Sequence, residues 1–171
     1  MLMLMTAAQW NLRQENEYKA MCAFPINKLF SWKIAPGQSV PRCRAYRVTY
    51  NVKTMVKDGN KLKPQEKTEV LITLSDNPGG APTARIVGGS IPFHPNIYSN
   101  GNFCLGDMWA KEPILWKLVI NIGKVLAFDP AHTNPNSPAN GDAASDWKAK
   151  QSGIRKHYPC GNINFPHPAG Y

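Results

Sequence analysis

Cys104 follows Asn96 by eight positions, and the Ser99-Asn100-Gly101-Asn102 run between them has the composition of a tight turn. Such a turn folds the chain back and brings the Asn96 carboxamide toward the sulfur. A thiolate is a strong nucleophile. An adjacent amide N–H is a suitable donor for the oxyanion that forms when a thiolate attacks an acyl carbon. Residue types and spacing therefore predict acyl chemistry at Cys104, either hydrolysis or transfer, with Asn96 as its partner. His94 and Pro95 complete the stretch. In a hydrolase His94 would be the base; otherwise it is a histidine hydrogen-bonded within the turn that Pro95 fixes.

The bulk properties bound this chemistry. A length of 171 residues suits one domain, and 43% apolar with 10% aromatic content excludes a disordered chain. The formal charge of +9 is compatible with an acidic partner, nucleic acid, a membrane surface or simply a basic soluble face. No nucleic-acid-binding motif accompanies the charge, so neither nucleic acid nor membrane is expected as a partner. Cys22, Cys43, Cys104 and Cys160 are scattered without a Cys-x-x-Cys pair. The apolar Met1 to Met5 run is too short for a signal peptide or a spanning helix. Free thiols in a reducing cytoplasm are the expectation, which suits a cysteine nucleophile. His157, Cys160 and His167 lack regular spacing and a fourth ligand, so no metal site is expected.

Several elements must hold the cysteine stretch. Thr6 and Gln9 have capping-box spacing and open a helix over 7–22, free of Gly and Pro, which Pro25 ends. Phe30, Trp32 and Ile34 alternate with polar residues and predict a strand over 28–35. The alternation of Tyr46, Val48, Tyr50 and Val52 predicts another over 44–56. Asp58-Gly59 is a hairpin signal, and the basic 61–67 stretch reads as a loop or an edge because it contains Pro64. Val70, Ile72 and Leu74 give a further strand, and Ala84 to Val87 a short one. Pro113 suits a first helical position, and Leu115, Leu118, Val119, Ile122, Val125 and Leu126 follow at helical spacing up to Asp129-Pro130. Residues 131–138 form a loop, 141–150 a short helix, and the tail little regular structure. Strands followed by helices predict an α+β fold, with an N-terminal helix, an antiparallel meander and C-terminal helices on one face.

With these elements in place, the chain resembles the ubiquitin-conjugating enzyme family. His94-Pro95-Asn96-Ile97-Tyr98 followed by Gly101-Asn102-Phe103-Cys104-Leu105 is similar to the family's His-Pro-Asn and nucleophile segments. Trp109 and then Pro113-Ile114 resemble the segment that leads into the next helix. Ser137-Pro138-Ala139-Asn140-Gly141-Asp142-Ala143-Ala144 resembles a segment of one branch of the family. The Tyr-Pro-x-x-Pro-Pro segment usually found before His-Pro-Asn is not readable, with Asn77-Pro78 to Pro82 a degenerate substitute. The long final helix of many members is replaced by a Pro-rich tail. This divergence is similar to prokaryotic relatives that act with a ubiquitin-like protein in defence operons.

The resemblance implies a catalytic domain over 1–150 and a tail over 151–171. It implies that Cys104 accepts a ubiquitin-like protein from an activating enzyme as a thioester and passes it to an amine of a target protein, without cofactor or metal. Asn96 would serve the oxyanion or hold the cysteine loop, with His94 and Pro95 shaping the turn. Ser137 falls where other branches place an acidic residue beside the incoming lysine, and Asn134 and Asn136 are nearby alternatives. Arg13 and Lys19 on the first helix, with Pro113 and Ile114, are candidate partner contacts, and the residues leave open whether a ligase takes part. The rival expectations are an inactive scaffold of the same fold and a cysteine hydrolase.

Overall fold

The computed structural model describes residues 5–77, 80–111, 113–151 and 157–171. Helix α1 (Ala7–Cys22) begins at the expected capping box: Gln9 N–H donates to Thr6 Oγ1 at 3.2 Å, and Thr6 N–H to Gln9 Oε1 at 2.8 Å. Its inward face carries Trp10, Ala20 and Met21, but also Gln14 and Glu17. That mixture explains the weak apolar stripe in the sequence.

Strands β1 (Phe30–Ile34), β2 (Ala45–Tyr50), β5 (Thr68–Thr73) and β6 (Thr83–Gly88) form one antiparallel sheet in the order β1-β2-β5-β6. Tyr46, Val48, Tyr50, Val70 and Ile72 are fully buried on its inner face. Residues 44–56 do not form one strand. The alternation runs on through buried Val52, but Asn51 turns aside, its N–H donating to Leu29 O and its Nδ2 to Lys28 O. The chain then re-emerges as β3 (Thr54–Asp58), paired with β4 (Lys61–Gln65) in a separate ribbon. The ribbon turns at Asp58-Gly59, where Gly59 has φ +58°. Pro64 is tolerated because β4 has a partner on one side only. The meander is thus interrupted by a hairpin.

Helix α3 (Leu115–Leu126) lies against the sheet. Leu115, Val119, Ile122, Val125 and Leu126 are fully buried, each stabilising the fold by roughly 1.5–3 kcal/mol. Tyr50 Oη donates to Val119 O at 2.7 Å and ties sheet to helix. The helix starts after Pro113, not at it: Ile114 is the N-cap, with no side-chain cap bond of its own. Glu17 supplies that cap from α1, accepting Leu115 N–H at 3.0 Å. A short helix, α2 (Gly106–Lys111), follows the cysteine directly and has no counterpart in the sequence expectations.

Helix α4 (Gly141–Gln151) buries Ala143, Ala144 and Trp147, as its sequence predicts. Asn140 Oδ1 accepts Ala143 N–H at 3.0 Å and caps it. The tail is irregular yet packed. Phe165 is buried against α3, and Ala169 N–H reaches back to Ala23 O at the end of α1. Gly123 is required for this path, because a Cβ there would run into the Phe165 ring.

Candidate functional site

The stretch after β6 folds into a tight loop by backbone bonding. Ile97 N–H donates to His94 O at 3.2 Å, Gly101 N–H to Tyr98 O at 2.9 Å and Tyr98 N–H to Asn102 O at 2.8 Å. Gly101 adopts φ +87°, a conformation that favours glycine. The returning chain places Cys104 N–H on Asn96 O at 2.9 Å. The turn therefore brings Asn96 and Cys104 together, and both line one cleft of about 550 Å³. Cys104 is partly exposed, and Tyr98 stands beside it. The Cys104 charge, together with a hydrogen bond to the sulfur, pushes the Tyr98 phenol up from its ordinary value.

The Asn96 side chain faces the 130s loop. Its Nδ2 donates to Asn134 O at 3.0 Å, and its Oδ1 accepts Asn134 N–H at 2.7 Å. Asn134 Oδ1 in turn accepts Asn136 N–H at 3.0 Å. Pro95 O takes two donors from the segment before α4, Ala139 N–H at 2.8 Å and Asn140 N–H at 3.0 Å. The His-Pro-Asn turn is thus the hub on which residues 134–140 are hung. Ser137 lines the same cleft. Asp142 lies in the first turn of α4, where a negative charge suits the helix dipole.

His94 is fully buried, and both ring nitrogens are engaged. Nδ1 accepts Asn96 N–H at 3.0 Å, so the proton resides on Nε2. Nε2 faces Thr133 Oγ1 at 3.3 Å, and that hydroxyl donates to Asp129 O at 2.9 Å. Burial pushes His94 down to about 3, so the ring is neutral. Its ring packs at a tilt against Phe128, with centroids 4.5 Å apart, and Phe128 clusters with Trp147 and Tyr158. Phe128 reaches this place through φ +55°, costly for a bulky residue but giving α3 its C-terminal turn. With no free nitrogen, His94 shapes the turn and is unavailable as a base.

Arg13 is held within the molecule. Its guanidinium donates to Pro113 O, pairs with Glu17 at 3.7 Å and lies over the Trp10 and Trp109 rings at 5.7 and 5.5 Å. Burial raises the Glu17 carboxyl, opposed by the Leu115 N–H and by Arg13. Lys19 is exposed on α1, and Ile114 is partly buried. Two polar side chains of the cleft escaped the sequence expectations: His132, from the 3-10 turn Pro130–His132, and Asn121 of α3. Among the described residues, no three His, Cys, Asp or Glu side chains gather to hold a metal, His157, Cys160 and His167 included. No helix among them is long and apolar enough to cross a membrane.

A four-stranded antiparallel sheet backed by a central helix is an α+β fold shared with solved structures. The E2 domain of a Toxoplasma gondii ubiquitin conjugating enzyme superposes with TM-score 0.54 at 18% identity, covering 82% of this chain and 88% of that one. A ubiquitin conjugating enzyme from Plasmodium yoelii gives 0.56 at 18% identity, covering 86% and 88%. The family model for ubiquitin-conjugating enzymes matches residues 69–159, and the chain belongs to that family. Ubiquitin-conjugating enzyme E2 2 of Mycosarcoma maydis is 36% identical over 84 residues, 47% of this chain and 42% of the relative. Ubiquitin-conjugating enzyme E2 3 of Arabidopsis thaliana is 39% identical over 75 residues, 40% and 44%. The match thus spans under half the length of these two relatives.

Proposed function

We propose that this chain accepts a ubiquitin-like protein from an activating enzyme as a thioester on Cys104 and transfers it to an amine of a target. The observation that carries the reading is the pairing of a partly exposed Cys104 with Asn96 across one cleft. In the first step the Cys104 thiolate attacks the incoming thioester and displaces the activating enzyme's sulfur. In the second the target nitrogen attacks the acyl carbon, and Cys104 leaves as thiolate. Sulfur is a good leaving group, so the chemistry calls for no metal or organic cofactor.

Asn96 has two amide hydrogens, and one is bound to Asn134 O. The other is left for the oxyanion of the second step, so one carboxamide holds the 130s loop and serves the reaction. Ser137 and Asn134 border the path of the target amine. Lys19, Pro113 and Ile114 offer the contact for the activating enzyme, with Arg13 fixing the Pro113 carbonyl from behind. The free thiols suit a reducing cytoplasm.

The test mixes the chain with an activating enzyme, ATP and a ubiquitin-like protein. A reductant-sensitive band appears and is lost in Cys104→Ala. A wild-type chain that binds the modifier but never forms the adduct is a scaffold instead.

A further inference from the structure

The cleft around Cys104 contains a histidine that the family motifs do not account for. Among the described residues lining it, His132 is the one side chain besides the cysteine able to take up a proton near neutral pH; the others are amides, a hydroxyl and apolar groups. His94 is removed from this role by its burial and by the bonds to Asn96 and Thr133. His132 is differently placed. Its side chain keeps 21% of its exposure while Nδ1 is sealed from solvent, so the exposure belongs to the rest of the ring. Sealed Nδ1 makes no hydrogen bond but faces Asp129 Oδ1 at 3.6 Å. The same oxygen is anchored by Ala131 N–H at 2.9 Å. Asp129 is thus fixed where it can orient the ring, leaving the Nε2 lone pair as the basic site.

We infer that His132, oriented by Asp129, is the general base that takes the proton from the acceptor nitrogen during transfer from Cys104. The inference rests on the thioester reading above. The nitrogen attacks the acyl carbon and the C–N bond forms. A proton on that nitrogen passes to His132 Nε2, the C–S bond breaks, and the sulfur leaves with the electron pair as thiolate. His132 then returns the proton to solvent. The 3.6 Å separation closes to a hydrogen bond as charge develops on the ring, consistent with catalytic contacts that tighten only in the reacting complex. The charged groups acting on the ring are Asp129 on its own loop and Lys124 at the end of α3, and Cys104 lines the same cleft. Burial and Lys124 push the imidazole down while Asp129 pushes it up, with a net lowering that keeps it neutral and able to accept.

The test uses the full chain and a ubiquitin C-terminal thioester with a small thiol leaving group, which charges Cys104 by exchange without an activating enzyme. Free lysine is the acceptor. His132→Gln charges, and then discharges to lysine about 10²-fold more slowly, the usual range for a lost general base. The wild-type discharge rate falls as pH is lowered through the His132 titration, below the ordinary 6.5, and His132→Gln loses that limb. Asp129→Asn, which keeps the acceptor for Ala131 N–H, slows discharge and shifts the limb. A merely structural histidine would alter melting or charging and leave the shape of the pH profile unchanged. Equal discharge rates and profiles for wild type and His132→Gln overturn the base assignment. Failure of the wild-type chain to charge overturns the thioester reading, and this inference with it.

Discussion

The Asn96 carboxamide and the Asn134 backbone bond to each other in both directions, Nδ2 to O at 3.0 Å and N–H to Oδ1 at 2.7 Å. A side chain 38 positions away in sequence thereby closes the far wall of the cysteine cleft. Asn96→Ala removes both the bonds to Asn134 and the amide proposed to serve the oxyanion. We expect charging of Cys104 to survive, discharge to an amine to slow about 10²–10³-fold, and backbone amide exchange over 133–137 to accelerate. Unchanged exchange in those residues would show that the Asn134 bonds do not hold the loop.

His94 predicts acid lability. Its pKa is about 3 in the folded chain against an ordinary 6.5. The unfolded chain therefore takes up this proton first as pH falls. The stability is fully present above 6.5 and is lost between 6.5 and 3, on the order of 5 kcal/mol in all. Glu17 acts in the opposite sense, its raised carboxyl favouring the folded state at low pH and losing that contribution as pH rises. Urea midpoints at pH 7, 5 and 4 should fall steadily for the wild type. His94→Gln should start less stable and fall less steeply; parallel curves would remove His94 as the cause.

Glu17→Ala uncaps α3 and leaves Arg13 without its carboxylate. A cost of about 1–3 kcal/mol is expected. Glu17→Gln, which keeps an acceptor for Leu115 N–H, should recover most of it. Chemical denaturation of the two variants checks the ordering Gln above Ala.

Gly123→Ala places a methyl group against the Phe165 ring and within 3.1 Å of Tyr50 Cε1. The tail must shift, at about 1–3 kcal/mol. Faster amide exchange over 161–169, with the sheet unaffected, is the expected signature. A melting temperature equal to wild type would show that the tail contributes nothing to the core.

What could be read from the sequence was local. Thr6 with Gln9, Asp58 with Gly59 and the Asn96–Cys104 turn are all fixed by neighbours within eight positions. The α3 stripe was equally clear, because burial against a sheet imposes helical spacing on Leu115 to Leu126. The start of α3 was not, because its cap comes from Glu17, 98 positions earlier. The 44–56 run hid the change of partner after Tyr50, since alternation reports which face is buried and not which strand is bonded. His132 was invisible for the same reason: nothing beside it in sequence reveals that the 3-10 turn faces Cys104.

The most direct test of the account is where the acyl group lands. The purified chain, incubated with a ubiquitin C-terminal thioester, should gain the mass of that thioester less the departing thiol, which equals one ubiquitin less water. The adduct should be removed by reductant and map to Cys104. No adduct, or one mapped to Cys22, Cys43 or Cys160, would contradict the assignment of Cys104 as the carrier.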